Sequence, residues 1–208
     1  RSNQNTMKWH EAESDPELLE LWVADMDFLP VPEIRDAVIN YAETHIFGYP
    51  YPSDELYQSI IDWEKNQHGY SVDKASIVLI EGVVPAISTA IQSFTKEDDA
   101  VLINTPVYPS FARSVRLNNR KLIENSLVKV NGHFEIDFEQ LERDIVDNDV
   151  KLYVFCSPHN PGGRVWTKEE LTMVADLCQK HGVLLVSDEI HQDLALYGNK
   201  HISLNTIS

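Results

Sequence analysis

The sequence predicts an α/β fold, a parallel-dominated sheet with helices on both faces. Two observations carry that expectation. From Ile77 onward, short apolar runs alternate with amphipathic stretches of helix length. Strands that carry apolar runs and are separated by helices belong to parallel sheets covered on both sides. The composition agrees: 43% of the 208 residues are hydrophobic and 24% charged, enough to bury a sizeable core.

Taken in order, residues 1–30 read as irregular, with Leu21-Trp22-Val23-Ala24 as an apolar run inside them. A helix is expected over 32–45. Pro32 suits a first turn, and Ile34, Val38, Tyr41 and Ala42 share one face. The segment Phe47-Gly48-Tyr49-Pro50-Tyr51-Pro52 ends that helix in a loop. A second helix is expected after Ser53, with Leu56, Ile60 and Trp63 as its stripe. Strands are then expected at 77–80, 100–103, 121–123, 152–156 and 183–186. The intervening helices fall near 84–95, 109–117, 138–146 and 168–181. The last begins with Thr167 and Glu170 in capping-box spacing and carries Leu171, Val174, Ala175 and Cys178 on one face.

Lys and Arg number 17 against 33 Asp and Glu, a net charge of −16. So acidic a surface repels nucleic acid and anionic membrane, so neither is expected as a partner. No signal-peptide core and no membrane-length apolar run occur, and a cytoplasmic location is expected. Cys156 and Cys178 sit in apolar patterns and read as buried thiols in a reducing compartment, with a disulfide as the alternative. The first residue is not Met, and the sequence reads as an inner piece of a longer chain or as a trimmed one.

Parallel α/β sheets bind ligands at the carboxyl ends of their strands. The first expected strand runs into Glu81-Gly82-Val83-Val84-Pro85, where a glycine turn and free helix N–H groups suit a phosphate; many such turns bind nothing. The next ends in Asn104-Thr105-Pro106-Val107-Tyr108-Pro109. Prolines stiffen Tyr108, which could stack on a planar ligand or pack over the sheet edge. The fourth ends in Ser157-Pro158-His159-Asn160-Pro161-Gly162-Gly163, where Asn160 offers a donor and an acceptor or simply structures the loop. The fifth runs into Asp188-Glu189-Ile190-His191. A carboxylate at a buried strand end needs a cation or donors, so Asp188 faces a ligand or a helix N-terminus; a magnesium site would need a phosphate motif that is missing.

In this order the four loops resemble the pyridoxal 5'-phosphate (PLP) enzymes of fold type I, the aminotransferase class I/II family. The resemblance implies that Asp188 holds the protonated pyridine nitrogen and that Asn160 donates to the phenolic oxygen. It makes Tyr108 the stacking ring, the turn at Gly82, Val83 and Val84 the phosphate cradle, and Tyr49 a ligand of the neighbouring subunit's phosphate in a homodimer. It divides the chain into an arm with part of a small domain over 1–48 and the start of the large PLP-binding domain over 49–208.

Within the family, the run Leu21-Trp22-Val23-Ala24-Asp25-Met26-Asp27-Phe28, Phe47-Gly48-Tyr49 and His191 are similar to the cystathionine β-lyase-like branch. Transaminases carry Tyr at the position of His191. The implied activity is β-elimination from cystathionine, cysteine or a related thioether amino acid. The alternatives are a transaminase on the same scaffold and a noncatalytic PLP-fold module. The family's Schiff-base lysine lies farther past the Asp than the twenty residues 189–208 allow. Lys200 sits in a polar turn, so the lysine is expected beyond Ser208 and the piece alone is expected to be inactive.

Overall fold

The structure, a computed structural model, describes residues 6–10, 12–15 and 17–207. The backbone separates into two compact units, residues 1–51 and 52–208.

In the first unit a short 3-10 turn, Met7–Trp9, is followed by irregular chain and by helix α1, Pro32–Thr44. Lys8 is its one buried residue among those described; its Nζ lies 3.0 Å from Asp27 Oδ2 and donates to the Asp25 carbonyl at 3.3 Å. Trp9 Nε1 donates to the other Asp27 oxygen at 3.1 Å. The 21–28 run thus serves as a clasp around one ammonium group. The apolar face expected of α1 exists, but Ile34, Val38 and Tyr41 are all exposed, so this face is not core. Tyr41 instead stacks on His45, ring centroids 4.3 Å apart.

In the second unit Ser53 caps α2, Asp54–Trp63, by accepting from the Leu56 N–H at 3.2 Å. A π-helical turn, Glu64–His68, extends it. The strand expected at 77–80 is not formed: Val78, Leu79 and Ile80 are exposed, and among the described residues no strand pairs with them. Apolar residues alone do not make a strand without a ladder partner. Helix α3, Val83–Phe94, follows at once.

The sheet is formed by β1 (Ala100–Thr105), β2 (Lys121–Ser126), β5 (Val150–Cys156) and β6 (Leu184–Asp188), all parallel, in the order β2-β1-β5-β6. Helices α4 (Ser110–Leu117), α5 (Phe138–Asp147) and α6 (Lys168–His181) connect them. Between β2 and α5 lies a hairpin of β3 (Val128–Val130) and β4 (His133–Glu135), turning at Asn131-Gly132 with φ of 50° and 86°. Asn-Gly is the pair that such a turn favours.

Side chains alternate across the strands, and the two faces build two cores. Ala100, Leu102, Tyr153 and Phe155 meet Leu141 and Ile145 of α5 and Leu171, Val174 and Cys178 of α6. Val101, Ile103, Leu152 and Val154 meet Ile87 and Ile91 of α3 and Phe111 and Val115 of α4. The expected capping box is present: Thr167 accepts from the Glu170 N–H, and Glu170 from the Thr167 N–H. Both cysteines are buried free thiols. No helix of the described residues is long and apolar enough to cross a membrane.

Candidate active site

The strand order reverses direction between β1 and β5, since β2 lies outside β1 and β6 outside β5. Such a reversal opens a crevice at the carboxyl ends of the two central strands. Two of the predicted loops leave from those ends.

The loop after β5 is tied to the loop after β1 through the backbone. The Tyr108 N–H donates to the Asn160 carbonyl at 3.1 Å. His159 Nε2 lies 2.8 Å from the Pro106 carbonyl, which can only accept, so Nε2 carries the proton. Burial pushes the His159 pKa down, and the ring stays neutral. The His159 N–H donates to the Arg164 carbonyl at 2.7 Å, and the Gly163 N–H returns to the His159 carbonyl at 2.9 Å. A Cβ at Gly162 would stand 2.7 Å from His159 Cδ2, so only glycine fits over that ring. Arg164 grips both Glu170 carboxylate oxygens at 2.6 Å and the Phe134 carbonyl at 2.7 Å. The peptide bonds preceding Pro106, Pro158 and Pro161 are cis. None of these bonds uses the Asn160 side-chain amide, which makes no hydrogen bond among the described residues.

Asp188 ends β6, buried, opposite Cys156 in the ladder. Its carbonyl accepts from the Ser157 N–H at 2.9 Å, joining this strand end to the Asn160 loop. Its carboxylate accepts the Ile190 N–H at 3.1 Å. Burial raises its pKa, and the charge of Glu189 adds to that; the Ile190 N–H and nearby His191 oppose without prevailing. A cation beside Asp188 would reverse the direction.

Glu189 turns to other partners. It accepts from Ser187 Oγ at 2.8 Å and from the Leu204 N–H at 3.0 Å, with His201 Nε2 at 3.0 Å. Burial pushes its pKa up, but the bonds from His201, Leu204 and Ser187 outweigh that, and the net direction is down. Glu189 is thus committed to these donors and does not pair with Asp188, and among the described residues no group of three or more His, Cys, Asp and Glu is gathered as metal ligands.

Gly82 sits at the start of α3 with φ of 121°, where a side chain is strained, and the nearest atom to a Cβ there would be Pro85 Cδ at 3.8 Å. The first N–H groups of α3, those of Val83 and Val84 among them, have no acceptor within the helix.

The predicted residues come together in groups. Val83 and Asp188 line one cavity of about 610 Å³. Asn160 and His191 line a second of about 370 Å³. Tyr108 is half-exposed, lines neither, and is joined to Asn160 by its backbone bond. Val84 follows Val83 in the helix. Tyr49 belongs to the first unit and is fully exposed. Sequence reasoning missed Glu189 and His201 as partners. The signal was available only in part, as the polar–apolar–polar alternation His201-Ile202-Ser203.

The sequence profile described as aminotransferase class I and II matches residues 16–206. Cystathionine beta-lyase PatB of Bacillus subtilis (strain 168) is 43% identical over 190 residues, 91% of this chain and 49% of that protein. The structure of cystalysin from Treponema denticola, which contains a pyridoxal 5'-phosphate cofactor, superposes with a TM-score of 0.93 at 38% identity, covering 100% of this chain and 54% of that one. Aspartate aminotransferase of Bacillus subtilis (strain 168) is 32% identical over 195 residues, 92% of this chain and 49% of that protein. The chain thus spans about half the length of the curated relatives it matches. With a match that runs through all four strands of the sheet and through the turns at Gly82, Tyr108, Asn160 and Asp188, the chain belongs to the aminotransferase class I and II family.

Proposed function

We propose that the whole protein is a PLP-dependent carbon–sulfur β-lyase. It would convert cystathionine, cysteine or a related thioether amino acid to a thiol, pyruvate and ammonia. The observation that carries this is Asp188: a buried carboxylate at a parallel strand end, with one N–H partner and a raised pKa that a cation would reverse. The open glycine turn at Gly82 and the uncommitted amide of Asn160 suit the phosphate and the phenolic oxygen of the same ring. The 43% identity to a cystathionine beta-lyase supports the lyase reading over the rest of the family.

When bound, PLP supplies an electron sink for charge left at the substrate α-carbon. The chain's own residues prepare that chemistry. Asp188 would hold the proton on the pyridine nitrogen, so that two buried charges satisfy each other. Asn160 would donate its amide N–H to the phenolic oxygen, and His191, which lines the same cavity, would donate a second. The N–H groups of Val83 and Val84 would meet the phosphate at the helix start. Tyr108, stiffened by the prolines on either side, would cover the ring face. Tyr49 would reach the phosphate of a neighbouring subunit, making the protein a homodimer, and we place it in the cytoplasm. The Schiff-base lysine would come from residues beyond this chain.

Supplying the whole enzyme with cystathionine tests the proposal. Free thiol and pyruvate should appear in equal amounts. Amino transfer to a keto acid without thiol release would replace this reading by the transaminase one, which the aspartate aminotransferase relative favours.

A further inference from the structure

We infer that Glu189 and His201 are a positioning pair, a buried clamp that fixes the end of β6 and so aims Asp188 at the cofactor. The inference rests on the PLP reading and deepens it.

Three observations carry it. First, Asp188 has little to orient its own carboxylate, because its side chain holds a single backbone N–H two residues on. Its direction is therefore set by whatever holds the 187–191 backbone. Second, Glu189 ties that turn to chain farther on. Its carboxylate bonds Ser187, before Asp188, and simultaneously His201 and the Leu204 N–H, which lie twelve and fifteen residues on. The His201 side chain is 1% exposed and that of Glu189 is 15% exposed, so the pair is shielded from water and geometrically demanding.

Third, the clamp continues into α2 and its π-helical extension. The His201 ring meets the His68 ring edge to face, centroids 5.8 Å apart. His68 Nε2 lies 2.8 Å from Asp193 Oδ1, to which Trp63 Nε1 also donates at 3.1 Å. Gln192 donates to Glu64 at 2.8 Å. The turn that carries Asp188 and His191 is thus gripped by side chains from residues more than a hundred positions earlier. Glu189, Ser187, Leu204, Gln192 and Glu64 border the cavity that Asp188 and Val83 line, none of them borders the one shared by Asn160 and His191, and the carboxylate of Glu189 is committed to its donors. They act by placing Asp188, which makes them positioning rather than catalytic residues.

The test is PLP affinity of the whole protein, read by the cofactor's visible absorbance as apoprotein is titrated. Glu189→Ala should weaken PLP binding roughly 10–100-fold, the size seen when a residue that orients a ligand is removed. His201→Ala should do the same, and the double variant should lose no more than either alone, because the two act as one unit. Glu189→Gln, which keeps one acceptor, should recover part of the loss. Leu141→Ala, a core truncation on α5, should lower the melting temperature without moving PLP affinity. Affinity of Glu189→Ala within about twofold of the parent, or losses that simply multiply in the double variant, would overturn the inference. Should the alanine variants fail to fold, Glu189→Gln and His201→Gln carry the same test: several-fold weaker PLP supports the clamp, and unchanged affinity overturns it. Failure of the parent itself to bind PLP sinks the proposed function and the clamp together. Loss of binding in Asp188→Ala but not in the clamp variants sinks the clamp alone.

Discussion

The loop after β5 and the turn after β6 lie side by side, joined by the bond from the Ser157 N–H to the Asp188 carbonyl, yet they are held in opposite ways. Residues 157–164 are fixed by backbone bonds, by prolines and by a close-packed glycine, with the side chains of His159 and Arg164 adding to them. Residues 188–193 are fixed by carboxylates and imidazoles. A loop built on backbone bonds and close packing is the more sensitive of the two to steric change. A side-chain-held turn fails when one charge is lost. Each region therefore has its own way of being broken.

The largest effect is expected in the turn. Asp188→Ala in the whole enzyme should lower turnover by roughly 10²–10³-fold, the loss that follows removal of a preorganised electrostatic partner. Steady-state kinetics with cystathionine would measure it, and unchanged turnover would mean the carboxylate faces something else. In the loop, Gly162→Ala should cost about 1–3 kcal/mol of stability through overpacking against His159, read by denaturant unfolding.

The pH dependence of stability should separate the two carboxylates, which differ in sign. Glu189 has a depressed folded pKa, so its contribution is present above the ordinary carboxylate range and is lost as pH falls through the folded value. Asp188 has a raised one, so its contribution is present at low pH and is lost as pH rises through the folded value. In cofactor-free whole protein, Asp188→Asn should therefore raise the melting temperature at neutral pH, and Glu189→Gln should flatten the loss of stability on acidification. Opposite trends in calorimetry would contradict the assigned environments.

The smallest effect concerns the thiols. Burial pushes Cys156 up to about 11 and Cys178 up to about 12. At pH 8 about one Cys156 in a thousand is a thiolate, so thiol reagents should label neither residue until the protein is denatured.

Much of the sheet was legible beforehand, because its signals are local. Apolar runs placed β1, β5 and β6 to within two or three residues, and the Thr167–Glu170 box placed the start of α6. Two elements misled for the same reason. Residues 77–80 are apolar but unpaired, and the face of α1 is apolar but exposed, since periodicity reports what a segment could bury and not whether a partner covers it. The β3–β4 hairpin was readable from Asn131-Gly132 and was overlooked. Within the candidate site, Asp188, Asn160 and Gly82 drew attention because they stand at strand ends and turns in the order that the family resemblance uses. The Glu189–His201 pair was not, because the spacing of two residues along the chain says nothing about which way either side chain turns.

The amino-acid sequence alone determined the alternation of strand and helix, the family resemblance and which loops are candidates for the chemistry, since each of these is written in neighbouring residues. Tertiary structure decided the order β2-β1-β5-β6, which of the loops share a cavity, and the grip of residues 63–68 and 201–204 on the turn beside Asp188. Those are long-range pairings, set by which faces and charges can be satisfied together once the chain has folded.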